Sequence, residues 1–158
     1  MAICISSDMR TLAIDLGTRR IGLALSDEGG KFATPIDVLT VTDPDQAIGP
    51  IVNLIKKEDV KCIVLGLPIN MDDSIGGAAK STIAWGEKLA AKTPVEIIFV
   101  DERLSSFEAE QSMIGRKKAG EKISRKQKKE RLDAVAAAGF LQAFLDGKLQ
   151  AIDLTSLG

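Results

Sequence analysis

Hydrophobic and polar positions first follow the short period of β-strands. Residues 10–17 and 20–27 are apolar runs separated by Gly17-Thr18-Arg19, which predicts two buried strands joined by a tight turn. Residues 32–41 predict a third strand, in which Pro35 favours a sheet edge or a bulge. Because short turns join the three segments, we expect an antiparallel meander.

The pattern then alternates between helical and strand periods. A helix capped by Thr42 or Asp43 is expected to kink or restart at Gly49-Pro50. Later elements are predicted as a strand over 60–66, a helix over about 74–92, a strand over 95–101, a helix over about 105–114 and a last helix opened by the capping pair Ser124 and Gln127. The later strands need crossover connections, so we expect them to run parallel to the first. The chain therefore predicts an α/β fold with a five-stranded mixed sheet and helices on both faces.

The organisation of the 158 residues is simple. No repeat or low-complexity segment divides them, which predicts a single domain over 1–158, with a core at about 10–146 and a loose tail at 147–158. No apolar stretch approaches the roughly 20 residues that span a bilayer, and no signal-peptide pattern opens the chain. We therefore expect a cytoplasmic protein without a membrane partner. Cys4 and Cys62 are expected to be small buried hydrophobes in a reducing compartment.

Two residue types are missing. The chain has no histidine and no tyrosine, which excludes mechanisms that need an imidazole base or a tyrosine nucleophile. A nuclease built from this sequence would have to rely on carboxylates and a water activated by a metal ion.

Charge is distributed unevenly along the chain. The formal net charge is -1, but residues 116–131 carry nine basic and two acidic groups, or +7, and the remaining 12 basic and 20 acidic groups give -8. A basic stripe on an acidic body predicts a surface for a polyanion, and a merely solvated face is the alternative. The stripe has no aromatic residue, so we expect contact with the phosphate backbone rather than with bases. The predicted phosphate contacts are Arg103, Lys117, Lys118, Arg125, Lys126 and Lys129.

Three carboxylates lie within apolar runs or at their ends: Asp15, Glu102 and Asp133. Burying an ionised carboxylate without a partner costs several kcal/mol, and a shared divalent cation would offset that cost. Each residue also has a purely structural alternative. Asp15 could cap its turn or pair with Arg19 or Arg20. Glu102 could begin a helix, and Asp133 could interact with a helix dipole at the rim.

Four motifs taken together resemble the YqgF family of RuvC-like bacterial proteins with a ribonuclease H-like fold. They are Ile14–Thr18 with Ile21–Ala24, Gly66–Pro68, Asp101–Ser105 and Leu132–Ala137. The resemblance covers about residues 10–146 and implies the five-stranded mixed sheet already predicted. It also implies that Asp15, Glu102 and Asp133 are the catalytic carboxylates. Small departures from the family pattern occur at Ser105-Ser106 and at Asp73.

The resemblance carries an expected function, because family members are described as nucleases that process the 5′ end of pre-16S ribosomal RNA and as Holliday-junction resolvase-like. We therefore expect a metal-dependent nuclease acting on structured RNA, with resolution of branched DNA as an alternative. In this hypothesis Asp15 bridges two Mg²⁺ or Mn²⁺ ions, while Glu102 and Asp133 each hold one. A monomer or weak homodimer is expected. Junction resolution needs two active sites and hence a dimer, whereas a monomer would favour processing of single-stranded RNA.

Two other classes of function stay open. The Asp15–Thr18 turn also resembles the first phosphate loop of the actin and sugar-kinase superfamily, which would predict ATP binding. A catalytically silent protein that binds nucleic acid or a ribosome-assembly partner would use the same basic surface.

Overall fold

The structure is a computed structural model. It describes residues 9–17, 19–69, 76–101, 125–149 and 151–152, and for residues 125–133 it describes the backbone alone. The elements are β1 (Thr11–Leu16), β2 (Arg20–Ser26), β3 (Ala33–Thr40), a 3₁₀ helix (Pro44–Ala47), α1 (Ile48–Lys57), β4 (Cys62–Leu67), α2 (Gly77–Ala90), β5 (Glu96–Asp101) and α3 (Arg125–Leu145). The helix predicted over about 105–114 and the capping residue Ser124 lie outside the described residues.

The five strands form one mixed sheet in the order β3-β2-β1-β4-β5. The pairs β1–β2 and β2–β3 are antiparallel, whereas β1–β4 and β4–β5 are parallel. This arrangement confirms the predicted fold class. It also brings the carboxyl ends of β1, β4 and β5 to the same edge of the sheet, which we call the carboxyl edge.

Strand β3 lies at one margin of this sheet, as its proline predicts. Leu23 pairs with Asp37 but the next residue, Ala24, pairs with Pro35, so the register shifts within the strand. Proline has no backbone N–H to donate to a ladder and is confined to edges and bulges. Pro35 lies both on an edge strand and at the register shift.

Helices cover both faces of the sheet, also as predicted. Alternate residues of β1 belong to different apolar clusters, because successive strand side chains point to opposite faces. Leu12 and Ile14 pack in the cluster beneath α1 and α2, and Ala13 packs in the cluster beneath α3.

The connection from β3 to α1 begins with a capped turn. The Asp43 carboxylate accepts a hydrogen bond from the Asp45 amide at 3.0 Å, which caps the 3₁₀ helix. The helix changes from 3₁₀ to α geometry at Ile48, one residue before the break predicted at Gly49-Pro50. Helix α2 begins at Gly77, later than the predicted residue 74, and has Gly76 at its N-cap.

Two expectations differ from the structure. Within the predicted loose tail, Leu149 is buried and the Ile152 amide donates a hydrogen bond to the Phe99 carbonyl at 2.7 Å, so the start of this segment packs on the core. Cys62 is fully buried, as expected, but it is disulfide-bonded, which differs from the expected small hydrophobe in a reducing compartment. None of the helices in the described ranges is long and apolar enough to cross a membrane.

Candidate active site

The carboxyl edge gathers the predicted acidic positions of the sheet. Ile14 of β1 pairs with Leu65 of β4, which pairs with Phe99 of β5. Asp15 is therefore one residue beyond this level on β1, and Asp101 is the last residue of β5, two residues beyond Phe99. Open α/β sheets place ligands outside the carboxyl ends of their strands.

Asp15 faces the layer that contains α3. It lies two residues from Ala13, which packs in the α3 cluster, and so shares its face of β1. Asp15 is half-buried, and the residue opposite it on β2 is Gly22. Because glycine has no side chain, the cross-strand neighbour does not cover the Asp15 carboxylate.

The turn that follows Asp15 is held by backbone hydrogen bonds. The Gly17 amide donates to the Arg20 carbonyl at 3.0 Å, and the Val41 amide donates to the Arg19 carbonyl at 2.8 Å. A Cβ atom on Gly17 would lie 2.4 Å from the Arg20 carbonyl oxygen. The turn therefore requires glycine at this position, which explains its place in the motif after Asp15.

Helix α3 is anchored at the opposite edge of the sheet by Gln142. The Gln142 side-chain oxygen accepts from the Ala33 amide at 2.9 Å, and its nitrogen donates to the Lys31 carbonyl at 2.9 Å. Ala33 begins β3 and pairs with Ser26, the last residue of β2, so this contact lies at the end of the sheet away from Asp15. The C-terminal part of α3 is therefore held at this end of the sheet.

Asp133 lies on the same helix, nine residues before Gln142, or about 13 Å along the helix axis. Helix α3 packs against β2, β3 and β1, on the face of the sheet that Asp15 shares with Ala13.

The face of α3 at Asp133 is the packed one. Ala137 and Phe140, at positions i+4 and i+7, are fully buried against the sheet. Residues at these spacings share one helical stripe. The backbone position of Asp133 is therefore on the stripe that approaches β1.

The other predicted site residues are described only in part or not at all. Glu102, Arg103, Lys117 and Lys118 lie outside the described residues, and for Arg125, Lys126, Lys129 and Asp133 only the helical backbone is described. Asp15 and the helix that carries Asp133 therefore lie on the same face of the sheet. Among the side chains that are described, no three acidic, cysteine or histidine residues form a group suited to a metal ion.

One candidate was missed by the sequence analysis. Arg19 was considered only as a structural partner of Asp15, but it is exposed in the turn at the carboxyl edge. The available signal was the turn length, because a tight turn after β1 must hold its central residues at the edge where ligands bind.

Comparison with known proteins identifies the family. Residues 9–147 match the model of RuvX, described as a Holliday junction resolvase family. The chain belongs to this family. RuvX and YqgF denote the same family, so the resemblance found in the sequence is confirmed. A relative from Staphylococcus aureus strain RF122, named "Putative pre-16S rRNA nuclease", is 36% identical over 140 residues, which cover 87% of this chain and 95% of the relative.

Solved structures confirm the ribonuclease H-like fold of this RuvX chain. Thermus thermophilus RuvC in complex with a Holliday junction substrate matches with a TM-score of 0.57 and 15% identity, covering 91% of this chain and 100% of that one. Fowlpox virus resolvase in complex with Holliday junction DNA matches with a TM-score of 0.53 and 10% identity, covering 88% and 98% respectively. At these identities the likeness concerns the fold, while membership of RuvX identifies the chain as a nuclease.

Proposed function

We propose that this RuvX chain hydrolyses phosphodiester bonds in structured RNA and processes the 5′ end of pre-16S ribosomal RNA in the cytoplasm. The name of the Staphylococcus aureus relative supports the choice of substrate. The observation that carries the proposal is the position of Asp15 at the carboxyl edge, on the face of the sheet that α3 covers, where β5 ends immediately before Glu102.

Asp15, Glu102 and Asp133 would hold Mg²⁺ or Mn²⁺ in this proposal. Carboxylate oxygens are the ligands that such hard cations prefer, and a chain without histidine lacks the usual nitrogen ligands of zinc. The half-buried Asp15 beside Gly22 fits this role, because its carboxylate is placed at the edge without a cross-strand side chain above it. A bound divalent cation would supply charge stabilisation at the phosphate and activation of water.

The basic residues would position the substrate. Arg125, Lys126 and Lys129 precede Asp133 within the first two turns of α3. Together with Arg103, Lys117 and Lys118 they would contact phosphates on either side of the cleaved bond.

The test is a cleavage assay with Mn²⁺ or Mg²⁺ on a pre-16S 5′ leader RNA, a four-way DNA junction and single strands of each. Asp15→Asn is expected to lose more than about 100-fold in rate, since even the partners of metal ligands cost 10- to 100-fold. Asp59→Asn is the matched control, because it makes the same change at an exposed residue whose φ of 53° suits asparagine. Full metal-dependent activity in Asp15→Asn would refute the proposed carboxylate set.

Resolution of Holliday junctions is the second candidate, favoured by the description of the RuvX family. It requires two active sites, so it predicts cleavage confined to the junction and a dimer in sedimentation. Binding of RNA without any cleavage would instead identify a catalytically silent binder.

A further inference from the structure

We propose that Arg19 is a substrate-binding residue that contacts a nucleic-acid phosphate beside the active site. This inference rests on the proposed function, because it assumes that Asp15 lies where a phosphodiester is cleaved. It adds a contact on the β1–β2 turn, which is separate from the basic stripe at residues 116–131.

The location of Arg19 follows from the hairpin. Asp15 is paired with Gly22 near the end of β1, and the chain turns back between Gly17 and Arg20. Gly17 lies two residues beyond Asp15, or about 7 Å along the strand. Arg19 is thus at the carboxyl edge, within the reach of one nucleotide from Asp15.

The backbone of Arg19 is fixed before any ligand binds. Its carbonyl accepts from Val41 at 2.8 Å, and the carbonyl of the next residue, Arg20, accepts from Gly17 at 3.0 Å. Contacts made from a fixed backbone lose less conformational entropy on binding than contacts made from a mobile loop. The turn therefore presents Arg19 from a preorganised position.

The side chain of Arg19 is available for a ligand. It is exposed, and within the described part of the chain its guanidinium has no hydrogen bond or ion pair. Arg10, at the opposite edge of the sheet, shows the contrasting case, because its guanidinium lies 2.9 Å from the Glu58 carboxylate and 3.6 Å from the Glu28 carboxylate. A planar guanidinium binds phosphate oxygens with two parallel hydrogen bonds.

The acidic residues at the carboxyl edge explain why a basic side chain would be needed there. Asp15 and Asp101 place negative charge at the strand ends, which would repel a polyanionic substrate. The basic first turns of α3 supply positive charge from one element. Arg19 supplies it from another, at the end of β1 itself, so the two elements would contact different phosphates.

The test measures RNA binding in EDTA, which prevents cleavage, as a function of salt concentration. Fluorescence anisotropy with a labelled pre-16S leader RNA would compare wild type, Arg19→Gln, Arg19→Lys and Lys57→Gln. Lys57→Gln is the matched control, since it removes one exposed charge at the end of α1, next to Glu58, which pairs with Arg10 at the far edge.

Loss of one phosphate contact lowers the slope of log K against log salt by about 0.7 for a single strand and 0.9 for a duplex. If the contribution of this one contact to binding vanishes near 1 M salt, the change in slope corresponds to binding that is about fivefold to eightfold weaker at 0.1 M salt. We expect this change in Arg19→Gln only, with the slope retained in Arg19→Lys. In the cleavage assay KM should rise while kcat stays near that of wild type.

The outcomes separate this inference from the proposed function. A wild-type slope in Arg19→Gln, in a protein that cleaves RNA, would overturn the role of Arg19 and leave the nuclease standing. A reduced slope in a protein that binds but never cleaves would support Arg19 and refute the nuclease proposal. A wild-type protein that neither binds nor cleaves would overturn both.

Discussion

Replacing Gly17 by alanine tests whether the turn after β1 holds the carboxyl edge in place. The new Cβ would lie 2.4 Å from the Arg20 carbonyl oxygen, closer than the 3.0 Å below which real Cβ atoms are essentially not found. One of the two must therefore move by at least 0.6 Å, the difference between these distances. The obstructing atom is backbone, so no rotation of a side chain can relieve the contact.

The expected cost has two parts. The Arg20 carbonyl also accepts the Gly17 amide at 3.0 Å, and weakening this hydrogen bond costs about 0.5–1.5 kcal/mol. Forcing an extra methyl group against an atom that cannot rotate away typically costs about 1–3 kcal/mol. We therefore expect Gly17→Ala to lower the free energy of unfolding by about 1.5–4.5 kcal/mol. Because the displaced segment includes Asp15, cleavage should also fall in protein that remains folded.

Urea unfolding followed by circular dichroism would measure the change, with the midpoint shifted and the m-value unchanged. Gly77→Ala is the control, because a Cβ there meets nothing within 4 Å at the first residue of α2. It should be neutral or stabilise by up to about 1 kcal/mol. A stability of Gly17→Ala within about 0.5 kcal/mol of wild type would refute the argument from the close contact.

Two further predictions concern the edge opposite Asp15. Hydrogen bonds from the Phe32 and Lys31 amides lower the pKa of Asp27. The ionised Asp27 carboxylate therefore stabilises the fold at pH values above the ordinary aspartate pKa. This stabilisation is lost as the pH falls through the lowered pKa. In urea unfolding at pH 7, Asp27→Asn should be less stable than wild type. If the difference in stability between the two proteins does not become smaller near pH 3, the lowered pKa of Asp27 is not its cause. Gln142→Ala should lower stability by about 1–3 kcal/mol and speed hydrogen exchange at the Ala33 amide. Unchanged exchange would show that Gln142 does not anchor α3.

The sheet could be predicted from the sequence because its signals are local. Short turns specify the antiparallel meander, and the crossover segments specify the parallel strands. Pro35 correctly indicated both the edge and the register shift. The start of α2 was less predictable, since Gly76 makes no side-chain cap that a sequence pattern would reveal. The packing of Leu149 was missed because a single apolar residue after Gly147 has no periodic pattern around it.

The candidate site was predictable as a set of residue types but not as a geometry. Asp15 could be placed at a strand end from the apolar run before it. The packing of α3 on the sheet depends on Gln142, whose contact with Ala33 spans 109 residues and leaves no local mark in the sequence. The turn length placed Arg19 after β1, and the parallel pairing of β1 with β4 shows that this turn lies at the carboxyl edge.

The order of synthesis gives the position of α3 a further consequence. Strands β1, β2 and β3 emerge first and can pair through local turns. Strands β4 and β5 can join the sheet once their crossover helices have been synthesised. The apolar surface formed by Ala13, Val64 and Val100 is covered by α3, which follows all five strands along the chain. This half of the core therefore stays open to the solvent and to chaperones until α3 has been synthesised. A nascent chain would lack Asp133 for the same interval, so cleavage activity should appear only once α3 is present.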